Sequence, residues 1–143
     1  MEGKDVFEAL RHLKQHYRRT DYSGISVAVC IYGHSDGRQI MFGQTPIKIR
    51  SIVEAAKGIA GLKLLAFLGC RTGIHDLPKP SNFVIMGFNQ DICYEGIPMF
   101  ISGFFLFYRK YQQRNVSNFL YIRTAIYECS TKLIDHTMVE LFK

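Results

Sequence analysis

At 143 residues, with 48% hydrophobic and 21% charged side chains, the chain has the size and composition of one globular domain with a sizeable core. These proportions exclude a disordered, collagen-like or coiled-coil protein. Lysine and arginine outnumber aspartate and glutamate 18 to 12, a net charge of +6, but no dense basic tract of the kind found in nucleic-acid-binding arms occurs.

The first ten residues, MEGKDVFEAL, mix charges into a helical pattern and do not form a secretory signal. The longest apolar stretch, 97–108, is broken by Pro98, Ser102 and Gly103 and falls short of the roughly 20 residues a membrane span needs. A soluble cytoplasmic protein is expected, with no membrane or nucleic-acid partner and no cofactor. In a reducing compartment the four cysteines, Cys30, Cys70, Cys93 and Cys129, are read as free thiols. His12 and His16 share a helix face but lack a third ligand, so no metal site is assigned.

Val6, Phe7, Leu10, Leu13 and Tyr17 recur at helical spacing and predict an amphipathic helix over 5–17. ISVAVCIYG follows as a continuous run of β-branched and apolar residues, which predicts a central strand covered on both faces. HSDG reads as a loop, then RQIMFG and QTPIKI as two short strands turned between Gly43 and Pro46. Ser51 with Glu54 forms an S-x-x-E pattern, predicting a capping box at the start of a short helix that ends near Gly58 or Gly61. GLKLLAFLG and NFVIMGF predict two further buried strands, joined by CRTGIHDLPKPS. Helical patterning resumes over 98–112 and 117–134, before a short strand in MVELF.

Alternating strands and helices predict an α/β domain with a mostly parallel central sheet and helices on both faces. In open sheets of this type ligands bind beyond the carboxyl ends of the strands. Two reactive residues fall there: His34 after VAVCIY and Cys70 after KLLAFLG. An imidazolium beside a thiol favours the thiolate, the form that attacks carbonyl carbon. Gly33, Gly37, Gly69 and Gly73 leave room for close approach of a substrate backbone and free amides for an oxyanion. The competing reading is a packed, inert thiol at a strand end and a histidine in an ordinary turn.

The order VAVCIYGHSDGRQIMFG, PIKIRSIVEAAKG, GLKLLAFLGCRTG, NFVIMGF, FLFYRKYQQ resembles the caspases. Their pattern is a strand ending in Ser-His-Gly, a hairpin, a helix, a strand ending in Gln-Ala-Cys-Arg-Gly, and then the small-subunit strand and helices. The resemblance implies a caspase-like three-layer sandwich with its first strand or strands missing. Residues 1–76 would match the large subunit and 83–143 the small one. It makes Cys70 the nucleophile and His34 its general base and acid, with the Ser35 and Cys70 amides as the oxyanion hole. Arg71 matches the arginine that follows the family nucleophile. The implied reaction is peptide hydrolysis after aspartate, through a thioacyl intermediate.

The chain also departs from that pattern. His34 and Cys70 are 36 positions apart, against roughly 50 in caspases. Leu68 stands where the family has a pocket glutamine, and Tyr94 and Glu95 lie where a substrate-binding arginine is expected. Thr72 intervenes before Gly73, so the oxyanion loop differs in length, and the connection from Cys70 to Phe83 is short for an inter-subunit linker, although Asp76 could be the remnant of a cleavage site. The resemblance therefore implies a weak or inactive regulator that pairs with a caspase, as a homo- or heterodimer through its small-subunit-like part. Two alternatives remain open: an active cysteine endopeptidase of altered specificity, and a non-enzymatic binding module using Arg18, Arg19, Arg38, Lys48, Arg50, Arg109, Lys110 and Arg114.

Overall fold

A computed structural model of the protein describes residues 3–19, 27–72, 80, 82–88, 91, 96–112 and 139–142. Within them the order is α1 (Gly3–Arg19), β1 (Val27–Tyr32), β2 (Gln39–Phe42), β3 (Thr45–Lys48), α2 (Ile49–Ala56), β4 (Leu62–Leu68), β5 (Val84–Phe88), α3 (Gly96–Gln112) and β6 (Val139–Phe142). The predicted helix over 117–134 lies outside the described residues.

Four strands form one sheet in the order β1-β4-β5-β6. β1, β4 and β5 are parallel, and β6 runs antiparallel to β5 at the edge. β2 and β3 make a separate antiparallel hairpin. The expectation of a mostly parallel sheet flanked by helices on both faces is met, and period-2 alternation explains how. Leu65, Phe67 and Ile85 point to the side of α1 and α2, into a core with Val6, Leu10, Ile52 and Val53. Leu64, Ala66, Leu68, Val84, Met86 and Phe88 point the other way, against Ile97, Phe100, Phe104 and Phe107 of α3. Phe88 and Phe100 meet edge to face with ring centroids 5.5 Å apart, a preferred aromatic geometry.

β1 departs from the expectation. It is an outer strand of the described sheet rather than a central one, and only one of its faces is covered. Val27 and Ile31 are buried, whereas Ala28, Cys30 and Tyr32 are exposed. The uncharged run VAVCIY invites a doubly covered reading, but α3 packs its buried face over β4 and β5. An apolar groove of about 450 Å³ opens along the β1 edge between α1 and the hairpin, lined by Val6, Leu10, Val29, Ile31, Tyr32 and Phe42 among others. Its lining by consecutive strand residues places it at the strand's edge, since a groove on one face would touch alternate residues.

The start of α2 also differs. The helix begins at Ile49, with Lys48 as its N-cap and no side-chain cap hydrogen bond, so the predicted Ser51–Glu54 capping box does not form. β3 runs directly into the helix, and the Ile49 N–H donates to the Arg38 carbonyl at 2.9 Å. Backbone just before the hairpin's first strand thus occupies an end of the helix that a serine cap serves elsewhere. Glu54 instead pairs with Lys57 at 2.8 Å. The hairpin turns at Gly43 and Gln44, with Gly43 at φ 61°, and Pro46 sits inside β3 opposite Met41.

Candidate functional site

The register of β1 on β4 pairs Tyr32 with Leu68. The same 36-residue offset carries Gly33 to Gly69 and His34 to Cys70, so the two candidate residues leave adjacent parallel strands at matching positions. The strand ends stay together beyond the ladder, because the Gly33 N–H donates to the Leu68 carbonyl at 3.4 Å. Gly69 is required by this approach. A Cβ there would lie 2.6 Å from the Gly33 carbonyl oxygen and 3.0 Å from the Ser35 Cβ, closer than packed atoms tolerate.

The His34 loop is held by its own backbone. The Met41 N–H donates to the His34 carbonyl at 2.8 Å, and Ser35 bridges Ile40. The Ser35 hydroxyl oxygen accepts the Gly37 N–H at 2.9 Å, with Gly37 in the left-handed region at φ 98°. Asp36 Oδ1 accepts the N–H groups of Arg38 and Gln39, at 2.8 and 2.9 Å. These side-chain turns shape the loop locally. His34 itself is exposed and Cys70 half-buried.

The Gln39 N–H and then the Arg38 N–H hold the Asp36 carboxyl below the usual aspartate range, because both bonds favour the charged form. A folded-state value below the unfolded one contributes stability above the ordinary carboxylate range, and that contribution is lost as the pH falls through the lowered value. An NMR pH titration is expected to give Asp36 a midpoint below that of an unstructured aspartate, and Asp36→Ala should loosen the His34 loop at neutral pH, the difference from the unaltered protein fading as the pH falls through that midpoint. A midpoint at or above the unstructured value contradicts the loop description.

The Cys70 turn is built differently. Arg71 adopts φ 57°, a left-handed conformation that costs a residue with a Cβ about 1–2 kcal/mol. Its guanidinium forks onto Asp91, Nε to Oδ1 at 2.9 Å and Nη2 to Oδ2 at 3.2 Å. Both side chains are more than half exposed, so the pair contributes at most about 1 kcal/mol. Thr72 is fully buried. Its Oγ1 lies 2.8 Å from the Phe67 carbonyl and 3.0 Å from the Gly69 carbonyl, to which it donates, and it accepts the Phe88 N–H at 3.1 Å. The residue that lengthens the family-like turn is therefore the one that joins the ends of β4 and β5. Only its spacing from Cys70 was visible in the sequence.

The remaining assigned positions are scattered. Leu68 is 1% exposed and packs beneath α3, so any part it plays at the site is through packing. Tyr94 and Glu95 lie outside the described residues, as do Cys93 and Cys129. Cys30 and Cys70 are free thiols. Apolar surroundings push the Cys30 thiol up from its ordinary value, by desolvating its thiolate. His12 and His16 are exposed on α1, and no group of three metal-ligating side chains occurs among the described residues. No helix among them is long and apolar enough to cross a membrane.

What the arrangement offers chemically is a half-buried thiol and an exposed imidazole on neighbouring strand-end loops, flanked by a glycine contact and a strained turn. Compared with known proteins, the sequence matches no protein-family model and no curated protein.

Proposed function

We propose that the chain is a caspase-like domain that retains the nucleophile and base positions, Cys70 and His34, and acts as a weak or inactive regulator of caspases by pairing with one of them. The observation that carries this reading is that adjacent parallel strands end in register at Tyr32 and Leu68, two residues before His34 and Cys70. Loss of aspartate selectivity is inferred from the buried Leu68 in place of a pocket donor and from Tyr94 and Glu95 where a substrate-binding arginine is expected. Mixing the protein with an active caspase is expected to give a complex of defined mass and a changed rate of peptide cleavage. Unaltered mass and rate would sink the proposal.

A second reading, an active cysteine endopeptidase of altered specificity, is favoured by the same register. In that case Cys70 Sγ adds to the scissile carbonyl carbon, His34 takes the thiol proton and passes it to the departing amine, and water then cleaves the thioester. A thiol-directed probe separates the two: rapid labelling of Cys70 that His34→Ala abolishes supports the enzyme, and labelling indifferent to His34 removes it.

A further inference from the structure

We infer that Thr72 is a positioning residue for Cys70, through a buried hydroxyl that fastens the end of β4 to the end of β5 and so holds the strained turn between them. The inference deepens the reading of Cys70 as a nucleophile's position and rests on it. Only Arg71 separates the two residues, and it sits at φ 57°. Such a conformation persists where the surroundings over-determine it. Among the restraints on the turn are two side-chain contacts. The Arg71–Asp91 fork is exposed and open to screening by salt. The Thr72 hydroxyl is buried, with one proton facing two carbonyls and a lone pair taking the Phe88 amide.

Buried polar networks of this kind restrict a segment to one arrangement, because each alternative leaves a donor or acceptor unpaired away from water. Thr72 is also part of the strand-end contact, its Cγ2 lying 3.3 Å from where a Gly69 Cβ would stand. Removing the hydroxyl takes away the acceptor of the Phe88 amide and the proton that faces the Phe67 and Gly69 carbonyls. Arg71 then relaxes toward negative φ, and the Cys70 Cα–Cβ direction turns with it.

The test is the rate at which iodoacetamide alkylates Cys70, read peptide by peptide by mass spectrometry, with Cys30 in the same molecule as reference. Thr72→Val keeps the shape and loses the hydroxyl; it is expected to slow Cys70 by about tenfold, the scale of a sub-ångström to ångström misplacement, while leaving Cys30 unchanged. Thr72→Ser restores the hydroxyl and should return the rate to within about twofold of the unaltered protein. An unchanged or faster Cys70 in Thr72→Val, or a Thr72→Ser as slow as the valine variant, overturns the inference. The reading beneath it is tested separately by His34→Ala, so the two can fail independently. If Thr72→Val does not fold, the unaltered protein serves: Phe88 amide exchange and Cys70 alkylation should rise with one common slope in low urea, and two distinct slopes overturn the inference.

Discussion

Phe67→Ala is expected to lower the free energy of unfolding by about 4 kcal/mol, the range for deleting a fully buried ring. Phe67 is wholly buried on β4, which has β1 on one side and β5 on the other. Its ring joins the cluster shared by the sheet, α1 and α2, so several elements would have to shift before the cavity could collapse. Against a typical total of about 5–15 kcal/mol, the variant stands close to unfolding, and a urea titration should show the midpoint displaced accordingly. Leu106→Ala provides the contrast. Leu106 is 68% exposed on α3, and its loss should change stability by no more than about 0.5 kcal/mol. Equal effects from the two variants would contradict the described core.

Gly69→Ala is expected to cost about 2 kcal/mol through overpacking and to separate the His34 loop from the Cys70 turn. The added methyl meets the Gly33 carbonyl oxygen at 2.6 Å and the Ser35 Cβ at 3.0 Å. The first belongs to backbone held by a hydrogen bond to Leu68, so it yields only if the strand ends move apart. Gly58→Ala faces the same 2.6 Å distance, but the atom there is Cε of Lys14. A lysine stem swings aside at little cost, and the change should stay within about 0.5 kcal/mol. Urea midpoints for the two variants, with the NMR shifts of the His34 loop, measure both effects. Comparable destabilisation would show that local space, rather than the rigidity of what fills it, governs these sites.

Most elements were legible because their signals are local. The spacing of Val6, Leu10 and Leu13 marks α1, and the apolar runs VAVCIY, LKLLAFL and VIMGF mark the parallel strands. The structure departs from the local patterns where a bond joins segments distant in the chain. Ser51 looks like a helix cap, yet the Arg38 carbonyl receives the first amide of α2, a bond that depends on how the hairpin folds. Thr72 looks like an insertion in a glycine turn, yet its partners are Phe67, Gly69 and Phe88. The last is 16 positions away and beyond any local pattern.

The sequence by itself determined that His34 and Cys70 each follow an apolar strand and that a parallel sheet flanked by helices would carry them, because periodicity and strand-end punctuation are properties of neighbouring residues. Only the tertiary structure decided that β1 lies at the edge of the described sheet, that Tyr32 and Leu68 end their strands in register, and that a buried threonine hydroxyl joins the end of β4 to the end of β5. Those outcomes follow from pairing between strands distant in the chain, where long-range packing selects one arrangement among several that the same local pattern permits.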